Sequence, residues 1–113
     1  MSKQPVRVMV VDDHPMWRDG VARDLADEGF EVVATADGVR AATRRAAAVR
    51  PDVVLMDMQM PDGTGATATA ELLTVCPDAH VLVLSASDER DDVLDAIKAG
   101  ATGYLVKLSL IHI

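Results

Sequence analysis

Short apolar runs alternate with helix-like segments along this 113-residue chain, and the alternation predicts a parallel β-sheet flanked by helices. Five runs have the length and composition of buried strands: Val6–Val11, Glu31–Thr35, Asp52–Met56, His80–Leu84 and Gly103–Val106. Four segments between them have helical patterns: Pro15 to about Glu28, Gly38–Arg50, Ala66–Val75 and Glu89–Ala99. Because a helix connects each strand to the next, we expect parallel pairing and helices on both faces. The sequence therefore predicts one doubly wound α/β domain.

Acidic residues follow two of the strand-like runs directly. Asp12 and Asp13 close the first run, and Asp57 closes the third. In an open parallel sheet, ligands bind at the carboxyl ends of the strands, where the winding reverses. Three carboxylates gathered there would repel one another unless a hard divalent cation lay among them. The pattern predicts a metal-dependent phosphate site, with Asp57 as the carboxylate that carries the phosphoryl group.

Two further strand ends carry polar residues, Ser85 and Lys107. If the strand order is 2-1-3-4-5, both lie beside the acidic residues, where the lysine would contact a phosphoryl oxygen and the hydroxyl would hydrogen-bond the phosphoryl group. Each residue also has an ordinary interpretation. Asp13 could cap the following helix, Asp57 could open a loop, and the other two could be solvated strand-end groups. Their joint occurrence at successive strand ends favours the phosphate site.

The charge and the remaining motifs exclude several other classes of function. A formal net charge of −7 argues against binding of nucleic acid or an anionic membrane by this segment. No signal peptide or membrane-length apolar run occurs, so a cytoplasmic location is the expectation. Cys76 is the only cysteine and cannot form an internal disulfide. The glycine-rich nucleotide-binding motifs are absent, and the histidines lack metal-ligand spacing.

Four stretches together resemble the receiver domain of two-component response regulators. They are Val10-Val11-Asp12-Asp13-His14-Pro15, Leu55 to Gly65, Val83-Leu84-Ser85-Ala86-Ser87, and Ala99 to Lys107. The resemblance extends from about Val6 to Lys107 and is strongest to the NarL/FixJ (LuxR-type) group. It implies a flavodoxin-like fold with a five-stranded sheet of order 2-1-3-4-5. The fifth helix of the family fold is missing from this chain.

The resemblance also implies a role for each site residue. Asp57 would be the phosphoacceptor. Mg²⁺ would be bound by Asp13, by Asp57 and by the backbone carbonyl of Gln59, with Asp12 acting largely through water. Lys107 and Ser85 would contact the phosphoryl group, and Ser85 and Tyr104 would form the conformational switch.

The function implied is a signalling module. A partner histidine kinase would phosphorylate Asp57, and the protein would control transcription through a DNA-binding domain absent from this chain, without membrane contact. Because the missing fifth helix would leave apolar area exposed, we also expect a homodimer. Its only chemistry would be its own phosphorylation and dephosphorylation. Two alternatives stay open: an aspartyl-phosphate phosphatase of the haloacid-dehalogenase type, whose Asp-x-Asp motif Asp12-Asp13 does not match, and a pseudo-receiver that binds partners without being phosphorylated.

The last six residues break the alternation of strands and helices. Leu108 to Ile113 form a short apolar stub where a helix of about a dozen residues would be expected. We interpret residues 1–107 as the receiver domain and 108–113 as a tail left by truncation or added during cloning. A natural terminal strand is the alternative.

Overall fold

A computed structural model describes residues 4–85 and 90–106 and contains every strand and helix predicted for those ranges. The strands are β1 (Arg7–Val11), β2 (Glu31–Ala36), β3 (Val53–Asp57), β4 (Gln59–Met60), β5 (Gly63–Thr64), β6 (His80–Ser85) and β7 (Gly103–Val106). The helices are α1 (Pro15–Asp27), α2 (Val39–Val49), α3 (Gly65–Val75) and α4 (Arg90–Lys98). Within the described ranges, none of these four helices is long and apolar enough to cross a membrane.

The main sheet has five strands in the order β2-β1-β3-β6-β7. All four pairings between neighbouring strands are parallel. Since β6 and β7 are the fourth and fifth strands of this sheet, the arrangement is the flavodoxin-like order 2-1-3-4-5, and the prediction is confirmed. The winding reverses between β1 and β3, so the carboxyl ends of these strands lie at the switch point.

The segment between β3 and α3 is more regular than the sequence predicted. The turn-forming residues there predicted an irregular loop, but β4 and β5 form a small antiparallel hairpin. Its two pairs join Gln59 to Thr64 and Met60 to Gly63. Two-residue strands are too short to leave an alternating pattern in the sequence. The turn-forming residues 61–64 therefore belong to a short hairpin that the sequence did not indicate.

One face of the sheet packs tightly against α2, α3 and α4. Alternate strand residues face that side, because successive side chains of a strand point to opposite faces. The strand side chains of this core are Met9, Val11, Val54, Met56, Val81 and Val83. The helices contribute mostly small residues: Val39, Ala42, Ala46, Ala68, Leu72 and Ala96. Small helical residues allow close approach to the sheet, which gives the site a rigid base.

The residues that the structure describes cover the opposite face of the sheet less well. No residue of α1 is buried, and a groove of about 660 Å³ lies between this helix and the sheet. Its apolar lining includes Trp17 and Leu25 of α1 and Leu55, Leu84 and Leu105 of the sheet. Leu105 of β7 is 42% exposed beside this groove, whereas Leu84 of β6 is buried.

The predicted apolar side of α4 is not its buried side. The sequence pattern grouped Val93, Leu94 and Ile97 on one side of this helix. Leu94 and Ile97 are 45% and 46% exposed, whereas Ala96 is fully buried. The side chain of Val93 lies outside the described part of the chain. The alanine faces the core because the helix packs close to its neighbours, which leaves the two larger residues on the surface.

Candidate functional site

The strand register brings the predicted site residues to one edge of the sheet. Val11 pairs with Met56, so Asp12 comes alongside Asp57, and Asp57 in turn pairs with Leu84, the residue before Ser85. Ser85 is 5% exposed and pairs with Val106 of β7.

The structure describes two of the three remaining predicted residues, Gln59 and Tyr104. Lys107 follows Val106 but falls outside the described residues. Gln59 is exposed and begins β4, two positions after Asp57. Tyr104 pairs with Val83 in β7 and is 37% exposed, so it is not the ordinary core aromatic that a strand position would suggest.

Three carboxylates meet at the end of β1 and β3, two of them out of contact with solvent. Asp12 is fully buried and Asp57 is 4% exposed, whereas the side chain of Asp13 is 29% exposed. Buried carboxylates of like charge raise each other's energy unless a cation compensates them. Ligand atoms of Asp12, Asp13, His14 and Asp57 all lie within 4.8 Å of one another. Oxygen donors of this kind are those that Mg²⁺ takes, so the residues fit a magnesium site.

Sequence reasoning did not include His14 in the site. Its Nδ1 atom lies 2.7 Å from Asp12 Oδ1, 3.2 Å from Asp13 Oδ1 and 3.9 Å from Asp57 Oδ2. The imidazole therefore stands among the three carboxylates, although its side chain is 65% exposed. The position of His14 directly after Asp12 and Asp13 could have indicated that it belongs to the site. It was missed because isolated histidines were judged by metal-ligand spacing alone.

Local hydrogen bonds around Asp12 explain how His14 reaches the carboxylates. The backbone N–H of His14 donates to Asp12 Oδ1 at 2.9 Å, which folds the chain back on itself. Pro15 then begins α1, where its missing N–H has no cost. His14 is the N-cap, and no side chain makes a cap hydrogen bond, so Asp13 does not have the capping role that was its ordinary alternative.

Asp62 holds the loop of the site to α2, a role that the sequence did not predict. Its Oδ1 accepts a hydrogen bond from the backbone N–H of Val39 at 2.8 Å, and its Oδ2 accepts one from Arg40 at 3.1 Å. These N–H groups belong to the first turn of α2 and have no partner within the helix. The two hydrogen bonds hold the pKa of the Asp62 carboxyl below its ordinary value, despite a small opposing effect of desolvation.

We expect the contribution of Asp62 to stability to depend on pH. Its folded-state pKa is lower than its unfolded-state pKa, so the folded protein holds this proton less tightly. The stabilisation is therefore complete above the unfolded pKa and is lost as the pH falls through the folded pKa. The variant Asp62→Asn should be less stable than wild type in urea unfolding at neutral pH. That difference should disappear in acid, and a difference independent of pH would contradict the assignment.

Gly65 allows the loop to pass close to the backbone that carries Asp57. A Cβ atom at residue 65 would lie 2.9 Å from the Asp57 carbonyl oxygen and 3.0 Å from Met58 Cα. The Gly65 N–H donates to the Met58 carbonyl at 2.7 Å, which fixes this approach. Because backbone atoms stand in the way, a side chain has no easy means of being accommodated.

We expect Gly65→Ala to lower the free energy of unfolding by about 1–3 kcal/mol, the usual cost of overpacking. Gly20→Ala is the matched control, because no atom lies within 4 Å of a Cβ there and the residue is inside α1. Alanine at that position should raise stability by about 0.5–1 kcal/mol. Urea unfolding followed by circular dichroism measures both. Similar effects at the two glycines would show that the close approach is unimportant.

Comparison with known proteins gives a consistent set of matches. Residues 8–110 match the family described as response regulator receiver domain. The transcriptional regulatory protein DegU of Brevibacillus brevis is 41% identical over 108 residues, which is 95% of this chain and 46% of that protein. The chain spans about half the length of the curated relatives that it matches.

Two solved structures have closely similar folds. A two-component response regulator of the LuxR family from Aurantimonas sp. SI85-9A1 superposes with a TM-score of 0.87 at 32% identity, covering 96% of this chain and 81% of that one. A response regulator protein from Burkholderia pseudomallei superposes with a TM-score of 0.83 at 26% identity, covering 94% and 64% of the two chains. That second structure contains a phosphorylated aspartic acid and a calcium ion.

Proposed function

The chain belongs to the response regulator receiver domain family, and on that premise we propose that it is a phosphorylation switch whose phosphoacceptor is Asp57. The observation that carries the proposal is the position of this carboxylate. It is 4% exposed, ends β3 at the switch point of the sheet, and lies with Asp12 and Asp13 in a cluster that suits a divalent cation. The phosphorylated aspartic acid and calcium ion of the Burkholderia pseudomallei protein support the same chemistry here.

The phosphoryl donor is a phosphohistidine on a partner histidine kinase. A carboxylate oxygen of Asp57 attacks the phosphorus, and an acyl phosphate forms as the P–N bond breaks. The electron pair of that bond returns to the imidazole nitrogen, which takes up a proton. Asp57 needs no general base, because a carboxylate is already a nucleophile. Hydrolysis of the acyl phosphate by water then resets the protein, so the chain acts as a signalling module and transforms no external substrate.

The other residues around Asp57 bind the cation and the phosphoryl group. Asp13, Asp57 and the backbone carbonyl of Gln59 would hold Mg²⁺ directly, and Asp12 would act largely through water. A bound Mg²⁺ supplies positive charge that offsets the carboxylates and the transferred oxygens. Lys107 donates to a phosphoryl oxygen, and Ser85 hydrogen-bonds the phosphoryl group once it has formed.

Ser85 and Tyr104 transmit the modification to the surface. A phosphoryl group shifts an equilibrium only if it contacts one state of the protein better than the other. The hydroxyl of Ser85 makes that differential contact, and Tyr104, which is 37% exposed, turns inward when Ser85 is drawn to the phosphate. The surface of α4 and β7 then changes shape, which is what a partner detects.

The partners follow from the family. Besides the histidine kinase, the protein acts in the cytoplasm on transcription, through a DNA-binding domain beyond this segment, as the name of the DegU relative suggests for that protein. Two copies associate to form a homodimer, and the accessible apolar groove beside α1 supports such association. Residues 1–107 form the receiver domain, and 108–113 a tail, although the family match reaches residue 110.

A phosphorylation assay on the wild-type chain tests the proposed function. The protein is incubated with acetyl phosphate and Mg²⁺, and its intact mass is measured with and without excess chelator. We expect one added phosphate in the presence of Mg²⁺ and none when the cation is removed. An unmodified protein under both conditions would instead favour the pseudo-receiver alternative.

A further inference from the structure

We propose that His14 is a nitrogen ligand of the cation site and shifts the preference of that site from Mg²⁺ towards transition metals such as Mn²⁺ and Ni²⁺. The inference rests on the proposed function, since it concerns the same cation. It adds a nitrogen to a ligand set that otherwise consists of oxygen atoms, and it names the class of metal that such a nitrogen favours.

The distances around His14 are those of a ligand set. For metal–ligand bonds of about 2.1 Å, ligands at right angles are about 3.0 Å apart and opposite ligands about 4.2 Å apart. Nδ1 of His14 lies 3.2 Å from an oxygen of Asp13 and 3.9 Å from an oxygen of Asp57, the two aspartates proposed as direct ligands. A cation can therefore contact the ring and the carboxylates after small adjustments. The hydrogen bond from the backbone N–H of His14 to Asp12 Oδ1 holds His14 in place for this contact.

The imidazole changes role when a cation binds. Without metal, Nδ1 carries a proton and donates it to Asp12 Oδ1, since a carboxylate only accepts. To act as a ligand, the ring takes the tautomer protonated on Nε2, which frees the lone pair of Nδ1 for the metal.

The chemistry of the imidazole ligand determines which metal ion binds more tightly. Mg²⁺ prefers oxygen ligands and dehydrates reluctantly, so an available nitrogen adds little to its binding. Imidazole is a good ligand for first-row transition metals, whose affinities rise from Mn²⁺ to Ni²⁺ along the Irving–Williams order. His14 therefore increases affinity for these ions and leaves that for Mg²⁺ nearly unchanged.

Calorimetric titration of untagged wild-type and His14→Ala chains with Mg²⁺ and with Ni²⁺ tests the proposal. We expect the substitution to weaken Ni²⁺ binding at least about tenfold. Replacing a residue that only orients a metal ligand already lowers metal affinity by about that factor. Mg²⁺ binding should change by less than about threefold. Pulsed electron paramagnetic resonance of the Mn²⁺ form provides a direct readout, because coupling to an imidazole nitrogen should be present in wild type and absent in the variant.

The control removes the other two histidines. The double variant His80→Ala/His112→Ala should keep the Ni²⁺ affinity and the nitrogen coupling of wild type. Equal changes in Mg²⁺ and Ni²⁺ affinity on replacing His14, in either direction, would overturn the inference while leaving the magnesium site intact. If wild type bound Ni²⁺ through His14 but did not bind Mg²⁺, the inference would stand and the magnesium site of the proposed function would fail.

Discussion

Replacing Asp57 with asparagine should reduce the incorporation of phosphate from acetyl phosphate by at least about a hundredfold, because an amide oxygen is a poor nucleophile. The substitution is nearly isosteric and the residue is 4% exposed, so the fold should be retained. Removing one of three neighbouring carboxylates also relieves repulsion, so the variant should be at least as stable as wild type in chelator. Intact mass and urea unfolding measure the two effects.

The combination of the two results distinguishes chemistry from folding. Loss of labelling in a variant that unfolds at the same or a higher urea concentration assigns the nucleophile to Asp57. Undiminished labelling of the variant would move the phosphoacceptor to another residue. Loss of labelling together with loss of structure would require Asp57→Glu, which keeps the carboxylate, as a second variant.

The two neighbouring aspartates should differ strongly in their effect on Mg²⁺ binding. We expect Asp13→Ala to weaken binding by about 10- to 100-fold, because it removes a direct ligand. Asp12→Ala should have a much smaller effect on affinity, because Asp12 is proposed to reach the cation through water. Asp12 is fully buried and its Oδ1 accepts a hydrogen bond from the backbone of His14, whereas Asp13 is partly exposed.

Titration of both variants with Mg²⁺ decides the question. Trp17 is the only tryptophan and lies in the first turn of α1, close to the site, so its fluorescence provides a signal. Equal losses of affinity in Asp12→Ala and Asp13→Ala would reject the asymmetry. A larger loss in Asp12→Ala would reverse the two roles.

The sequence was sufficient to predict the sheet and the edge at which the site lies. Parallel strands that are buried on both faces appear as continuous apolar runs, so Val8–Val11 and Val53–Met56 were recognisable without any contact information. Once the strands were ordered, the polar residue at each carboxyl end had to lie at the same edge. This is why the register places Asp12, Asp57 and Ser85 at the carboxyl ends of three neighbouring strands.

Contacts between distant segments could not be predicted in this way. Asp62 caps α2 although Val39 lies 23 positions earlier, and no local pattern connects a turn residue to a helix that precedes it. His14 reaches the carboxylates through a hydrogen bond to Asp12 whose geometry depends on where the strand ends. The buried side of α4 depends on how closely the helix packs, which periodicity does not report.

The most direct test of the account is to identify the residue that carries the phosphoryl group. The chain is labelled with acetyl phosphate and Mg²⁺, reduced with borohydride, digested and sequenced by tandem mass spectrometry. Borohydride reduces an aspartyl phosphate to homoserine and leaves a phosphohistidine unchanged, so it separates Asp57 from the neighbouring His14. We predict homoserine at position 57 and nowhere else. Homoserine at position 12 or 13, or a phosphate retained on His14, would contradict the central claim.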